Sequence, residues 1–330
     1  MSFNRAAVVS LAVCFWFMCQ SAVVAAPLTV ENSQPENSQP SDPSQAGASA
    51  FAEGNFEEAL RQFTLSIEQA PAVGYGNRCL VQLQLQNYAA SVEDCSQSLA
   101  IDDDNAEVRL NLGLAYDRLG KHEEAITQYE HLLASDAADY RAYYNLGLAK
   151  AASERHEAAI SDYSYALAEL SGGNRSVEWR TVEADMYRDR GASHLILTNY
   201  AAAVSDLNAA ISRNPNDIWA YFNRGCAYHR SNNFLPAVQD FSWVIEQNSF
   251  ARDRNAHAYF NRGLIYARLG KADAAIEDLS QSLHLFSAES ESPDALVSIH
   301  QAHELIQRLR RGDLSETDIF QLLRDRAVNS

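Results

Sequence analysis

Apolar residues recur three and four positions apart from about residue 45 onward, which is the period of one face of an α-helix. Ala59 and Phe63 have this spacing, and so do Ala125 and Tyr129 farther along the chain. Turns that contain Gly, Asn or Ser separate the helical stretches, and no stretch alternates apolar and polar residues as a half-exposed strand does. The pattern therefore predicts an all-α chain of consecutive short helices.

One short segment returns along the chain at a regular interval. Tyr-Phe-Asn-Arg-Gly occurs at 221–225 and again at 259–263, and looser copies lie upstream. From Asn77 onward, the residues at the asparagine position are 34, 34, 44, 34 and 38 residues apart. Self-similarity at a fixed period indicates a repeat architecture, in which each helix pair stacks on its neighbours. We expect one unit of about 34 residues to recur, with one longer and one shorter insertion.

Residues at fixed places in each unit resemble the signature of the tetratricopeptide repeat family. Unit six has Tyr221, Gly225, Tyr228, Ala237 and Phe241 at the signature positions. Small residues let two antiparallel helices approach closely, and the aromatic rings fill the space around that contact. The resemblance covers about residues 41–287. It implies an all-α, right-handed α-solenoid of about seven helix pairs, whose function is noncatalytic binding of a protein or peptide.

The chain divides into four regions on composition and repeat spacing. A basic Arg5, an apolar run and small residues around Ala25 predict a signal peptide over 1–25. The tandem Glu-Asn-Ser-Gln-Pro in 26–43 predicts a disordered linker, because it cannot bury a core. The seven units are expected at about 44–71, 72–105, 106–139, 140–173, 184–217, 218–251 and 256–287. Two helices over 288–330, the second capped by Ser315, are expected to close the apolar end of the solenoid.

The signal peptide predicts an exported protein that is periplasmic, lumenal or secreted. A retained N-terminal membrane anchor remains the alternative. Of the cysteines, Cys79, Cys95 and Cys226 belong to the mature chain, so at least one is unpaired or pairs with another molecule. We interpret all three cysteines as small residues buried in the core.

The chain is acidic, with 26 basic and 43 acidic residues. A phosphate backbone is repelled by such a surface, so nucleic acid is not an expected partner. His300 and His303 are three positions apart on one helix with Glu304 alongside, but no further ligand set accompanies them, so a metal site is not expected. No phosphate-binding loop and no nucleophile–base set is present. We expect neither an enzyme nor a bound cofactor, metal or small-molecule substrate.

The asparagine position is the first candidate for partner contact. In this family it lies on the first helix of a unit near the concave groove, and similar asparagine ladders hold peptide backbones in other members. An amide both donates and accepts hydrogen bonds, which suits the backbone of an extended peptide. Bonding to a neighbouring helix is the alternative. The residues are Asn77, Asn111, Asn145, Asn223 and Asn261, with Asp189 in unit five and Gln45 in unit one.

Aromatic and basic residues near units four to seven form a second candidate lining of the groove, because such side chains are common interface anchors. For Trp219, Phe222 and Phe260, packing between adjacent first helices is the alternative. The set comprises Tyr144, Arg188, Trp219, Phe222, His229, Arg230, His257, Phe260 and Arg268. A clamp for C-terminal carboxylates is excluded, since the matching positions around Asn77 and Asn223 lack its basic groups.

Four units carry Arg where the signature has Leu, and each has Asp sixteen residues later on the second helix. The pattern predicts a structural ion pair between the two helices of a unit, which orients them more than it stabilises them. The pairs are Arg78–Asp94, Arg190–Asp206, Arg224–Asp240 and Arg262–Asp278.

The expected function is binding of an extended peptide segment or partner protein along the asparagine-bearing groove. The alternative is a structural scaffold or assembly factor, for an exported or membrane-associated complex, that docks folded partners on its edges or convex face.

Overall fold

The computed structural model describes residues 42–170, 177–247, 252–287 and 293–312, and every regular element within these ranges is an α-helix. The helices are α1 Pro43–Ala52, α2 Phe56–Ser66, α3 Pro71–Gln84, α4 Tyr88–Ile101, α5 Ala106–Arg118, α6 His122–Ser135, α7 Tyr140–Ala152, α8 His156–Leu170, α9 Val177–Ile196, α10 Tyr200–Arg213, α11 Ile218–Arg230, α12 Phe234–Glu246, α13 Arg252–Arg268, α14 Ala272–Ser287 and α15 Pro293–Arg311. The all-α prediction is confirmed. The predicted signal peptide, nearly all of the linker and the last predicted helix lie outside the described residues.

The helices pack in consecutive pairs, α1 with α2 through α13 with α14, and each pair is one repeat unit. The chain forms two compact bodies, of which one contains α1–α8 and the other α9–α15. Within each body, the first helix of a unit also touches the first helix of the next unit, as α3 touches α5 and α9 touches α11. First helices therefore form one layer of each body, and second helices form the other.

The turn inside each of the seven units has one residue in the left-handed backbone region. Gly54, Gly120 and Gly270 occupy this place with φ between 70° and 75°. The other four units have a non-glycine residue there, each with φ of 61°: Gln86, Glu154, Thr198 and Asn232. This conformation ends the first helix and reverses the chain into the second. Because a Cβ makes it unfavourable, the four non-glycine turns are held by the packing of the helices that they join.

A glycine on the first helix contacts a ring on the second helix in four units. A Cβ added at Gly147 would lie 2.6 Å from the ring of Tyr163, and one at Gly47 would lie 2.6 Å from Phe63. Gly113 with Tyr129 and Gly225 with Phe241 repeat the arrangement, and all four rings are fully buried or nearly so. This Gly–aromatic joint sets the close approach of the two helices.

Unit two replaces that joint by a disulfide between Cys79 and Cys95. The interpretation of both as buried core thiols is therefore wrong, although both are 0% exposed. The bond forms because α3 and α4 bring their Cα atoms to 5.3 Å, a distance that suits a disulfide. Cys226 is buried in the core of the second body.

The insertion between units four and five contributes to helix α9. That helix begins at Val177, two turns before the expected start of unit five at 184, so this part of the insertion is helical. At the far end, α15 packs on α14 and buries Leu305 and Ile306. Its role as a cap stays a prediction. Among the described residues, none of the helices combines the length and apolarity needed to span a bilayer.

Candidate functional site

The four Arg–Asp pairs expected from the sequence are present, and each is bidentate. In unit six, Arg224 Nε and Nη2 donate to the two carboxylate oxygens of Asp240 at 2.9 and 2.7 Å. The other three pairs have the same two bonds at 2.6–2.8 Å: Arg78–Asp94, Arg190–Asp206 and Arg262–Asp278. Burial raises the pKa of Asp240, and the Arg224 guanidinium opposes that rise. Each pair joins the first helix of its unit to the second.

Three of these arginines also bond to the second helix of the preceding unit, which the sequence did not reveal. The acceptors are Thr64 for Arg78, Asn208 for Arg224 and Ser242 for Arg262, at 3.2, 2.7 and 2.8 Å. Tyrosine rings lie against the same guanidinium groups, such as Tyr221 and Tyr228 at 5.1 and 5.9 Å from Arg224. The arginine thus connects three helices and two units.

Units three and four, which have Leu in place of this Arg, use other cations. In unit four, Lys150 Nζ lies 2.9 Å from Asp162. In unit three, Arg109 donates to Gln128 at 3.2 Å and to Asp103 at 2.8 Å. The ion pairs and their substitutes belong to the scaffold.

The asparagine position lies on the first helices and is buried in units two to six, whereas Gln45 of unit one is exposed and Asn261 of unit seven is half-buried. Asn77, Asn111, Asn145 and Asn223 are between 1% and 4% exposed, and Asp189 is 5% exposed. In addition, Asn261 Nδ2 donates to the His257 carbonyl of its own helix at 2.9 Å. Within the described part of the chain, Asn223 Oδ1 is buried without a hydrogen-bond partner. Contact of these residues with a partner stays a prediction.

The predicted aromatic lining is largely core in this structure. Phe222 is 0% exposed and packs edge-on against Phe241 at 5.7 Å within the main core of the second body. Tyr144 is also 0% exposed and lies 6.0 Å from Tyr163, and Phe260 is 5% exposed. Phe222 and Tyr144 thus pack against the second helix of their own unit rather than between adjacent first helices. Trp219, by contrast, is half-buried.

Arg188 lies among three buried carboxylates rather than on an open groove wall. Its Nη1 donates to Asp185 at 2.5 Å and to Asp217 at 3.1 Å, and its Nε donates to Asp189 at 3.1 Å. Asp217 also caps α11 by accepting from two backbone N–H groups, so it both starts that helix and connects it to α9. Burial raises the pKa of Asp185, and Arg188 opposes this.

Two of the remaining basic candidates, His229 and Arg268, meet at the ring of Phe234, where unit six contacts unit seven. Arg268 lies over the ring of Phe234 at 4.7 Å and donates to Asn232 at 3.0 Å. His229 is buried against the same ring, and burial, with the nearby Arg230 and Arg268, lowers its pKa to about 3. His257 packs edge-on against Phe286 at 4.8 Å. Because its pKa is lowered in this way, His229 is neutral at pH 7.

One position of the first helix differs in chemical type from unit to unit, although the framework around it repeats. From units three to seven this first-helix row consists of Glu107, Arg141, Asp185, Trp219 and His257. Arg141 bridges neighbouring first helices, because it donates twice to Glu107 at 2.9 Å and also to Asp139. Glu107 and Arg141 lie on first helices of the first body, and Asp185, Trp219 and His257 lie on those of the second. Glu107, Arg141 and Trp219 are half-buried, whereas Asp185 and His257 are buried.

The described residues contain no cluster of three or more His, Cys, Asp or Glu side chains placed to hold a metal ion. The first helices of each body contain charged, amide and aromatic groups.

Comparison with family models identifies the repeats. The model described as "Tetratricopeptide repeat" matches residues 78–130, 110–174 and 222–290, which together are about half of the chain.

Two curated relatives show how local the sequence similarity is. Sperm-associated antigen 1 of Mus musculus is 32% identical over 88 residues, which are 26% of this chain and 10% of that protein. The Hsp70-Hsp90 organizing protein of Triticum aestivum is 34% identical over 95 residues, or 28% of this chain and 16% of that protein. The chain thus matches less than a fifth of the length of either relative.

Solved structures resemble the chain over more of its length. A tetratricopeptide repeat protein from Parabacteroides merdae has a TM-score of 0.51 at 18% identity, covering 81% of this chain and 97% of the other. YrrB, a tetratricopeptide repeat protein with an unusual peptide-binding site, has a TM-score of 0.50 at 22% identity, with coverages of 62% and 97%. At these identities the likeness shows the fold alone.

Proposed function

Because this chain belongs to the tetratricopeptide repeat family, whose members bind protein or peptide partners, we propose that it is a noncatalytic module that binds a protein segment along its first helices. The observation that carries the proposal is the first-helix row, in which one fixed position has a different chemical group in each unit. In a repeat array, residues that vary at a fixed place on a constant framework can distinguish one partner from another.

The asparagines add a means of holding the backbone of such a segment. The Asn223 amide oxygen is buried without a hydrogen-bond partner among the described residues. A buried acceptor of this kind gains free energy when an N–H group reaches it. An extended peptide has one N–H group per residue and can satisfy it. Asn223 and Trp219 lie on the same helix, so one segment can contact both.

In this proposal the chain acts after export. The predicted signal peptide over 1–25 supports export, and the Cys79–Cys95 disulfide supports it independently. Disulfides form and persist in oxidising compartments and are rare in reducing ones. The partner is therefore expected to be another exported protein or the exported part of a membrane protein.

Docking of folded partners on the second-helix side is a second candidate, because exposed apolar side chains lie there. Leu235 on α12 is 71% exposed, and Tyr165 on α8 is 57% exposed. Single exposed apolar residues are common on protein surfaces, however, and these two lie in different bodies of the chain.

Site-specific photo-cross-linking separates the two candidates. A benzophenone amino acid is placed at Trp219 on the first helix of unit six or, as the matched control, at Leu235 on the second helix of the same unit. In the exported compartment, the proposal expects a cross-linked partner from position 219 and none from 235. The opposite result supports docking on the second helices, and no cross-link from either position contradicts both.

A further inference from the structure

Unit two differs from its neighbours at the point where its two helices meet. Four other units have a glycine and an aromatic residue sixteen positions apart at this point, as in Gly113 with Tyr129. Unit two has Cys79 and Cys95 at the same separation, joined by a disulfide. We infer that this disulfide replaces the Gly–aromatic joint, so that unit two reaches its stable fold only where its two thiols can be oxidised.

The side chains around the bond show why packing alone is a weaker joint in this unit. Two thiols fill less volume than a tyrosine ring, and loss of packed volume in a core is destabilising. The family's alanine is also replaced by Ser91, which is 0% exposed and donates its hydroxyl to the Cys79 carbonyl at 3.1 Å. Unit two therefore has the least apolar version of the joint.

The disulfide lies beside a second link between the same helices. Arg78 and Asp94, the residues directly before the two cysteines, form a bidentate ion pair. Cys95 Sγ also lies 3.4 Å from the Val108 carbonyl of α5, so the joint of unit two contacts unit three. Loosening of α3 and α4 is thus expected to reach α5. It should not reach α9–α15, which form the other compact body.

Oxidation of the two thiols releases two protons and two electrons. A disulfide-containing oxidant of the exported compartment accepts them and is itself reduced to a dithiol. Once formed, the bond is shielded, since both cysteines are 0% exposed. A thiolate can attack only after local opening of unit two. The rate of reduction in native buffer therefore reports that opening.

The first test measures hydrogen exchange of the exported chain before and after reduction with dithiothreitol. We expect faster exchange in α3 and α4 after reduction and unchanged exchange in α11 and α12, the internal control. Closing a loop of this length by a disulfide changes the unfolding equilibrium constant by roughly a hundredfold, which sets the expected size of the effect. Equal exchange in α3 and α4 before and after reduction would overturn the inference.

The second test restores the family's joint without the sulfurs. The double variant Cys79→Gly/Cys95→Tyr is compared with Cys79→Ala/Cys95→Ala. We expect the glycine–tyrosine chain to recover most of the lost protection of α3 and α4 and to be insensitive to dithiothreitol. If α3 and α4 of the glycine–tyrosine variant are no better protected than those of the double-alanine variant, the disulfide does not replace a Gly–aromatic contact.

A kinetic comparison uses the neighbouring ion pair. Arg78→Leu should speed reduction of the Cys79–Cys95 bond in native buffer. Arg224→Leu, the same change in the other body, should leave the rate unchanged. Peptide mapping after alkylation follows Cys79 and Cys95 directly. If both react with iodoacetamide in the unreduced, unfolded chain, the bond is absent and the inference is wrong. None of these readouts depends on a binding partner, so their failure is distinct from failure of the proposed function.

Discussion

Replacing Arg224 by leucine tests whether the Arg–Asp pair holds two helices together. The change removes two charge-assisted hydrogen bonds, at 2.9 and 2.7 Å, and leaves Asp240 as a carboxylate that is 4% exposed. Removing one partner of a buried pair costs about 3–5 kcal/mol. Because the Arg224 side chain is 18% exposed, the pair is not fully desolvated, and we expect a loss of stability at the lower end of this range, about 3 kcal/mol. The bond to Asn208 is lost as well, so the packing of unit six on unit five should weaken.

The matched control is Arg224→Leu/Asp240→Gln, which copies the residue types that unit three has at Leu112 and Gln128. Without a buried charge, the double variant should lose only about 1 kcal/mol, the usual size of a lost neutral hydrogen bond. Hydrogen exchange of α11 and α12 is the appropriate assay, because an array of repeats does not unfold in two states. A double variant as unstable as the single one would refute the reasoning.

The single variant should also acquire a distinctive pH dependence. Burial already raises the pKa of Asp240, and loss of Arg224 removes the opposing effect. A carboxyl whose pKa is higher in the folded state than in the unfolded state favours folding when it is protonated. The deficit of the variant relative to the parent chain should therefore shrink as the pH falls from 7 towards 4. A deficit that is the same at both pH values would contradict the buried-charge explanation.

Three further predictions concern the scaffold. Thr198 has a φ of 61°, and Gly120 occupies the same turn of unit three. Thr198→Gly should therefore stabilise the two helices of its unit by about 1 kcal/mol, and Gly120→Thr should destabilise those of unit three by the same amount, both measured by hydrogen exchange. Burial lowers the pKa of His229 to about 3, below its unfolded value near 6.5. The neutral ring is therefore fully compatible with the fold above pH 6.5, and folding is increasingly opposed as the pH falls from 6.5 towards 3. The stability of α11 and α12 against hydrogen exchange should fall by up to about 1.4 kcal/mol per pH unit below 6.5, and His229→Gln should flatten this pH dependence. Gly113→Ala places a Cβ against the Tyr129 ring and should cost about 1–3 kcal/mol, seen as faster exchange in α5 and α6.

The parts of the structure that follow from spacing within one repeat could be predicted from the sequence. The helix pairs and the four ion pairs are of this kind, because the same turn length in each unit brings this first-helix residue to the one sixteen positions later on the second helix. Cys79 and Cys95 have the same separation, so the repeat spacing could also have predicted their disulfide.

Contacts between units were less accessible to sequence reasoning. The three bonds from the arginines to the preceding unit join residues 14, 16 and 20 positions apart, so no fixed spacing marks them. The burial of Phe222 depends likewise on how neighbouring helices fill the space around it. A position on the first helix can be core or surface according to that packing, and the repeat pattern alone does not distinguish the two.

The central claim, that a partner binds along the first helices, is tested most directly by oxidative footprinting of the chain with the partner captured by cross-linking. Unit six has a tryptophan on each helix, Trp219 on α11 and Trp243 on α12, and both are half-buried. The proposal predicts that the bound partner slows oxidation of Trp219 and leaves that of Trp243 unchanged. Protection of Trp243 with no change at Trp219 would contradict it.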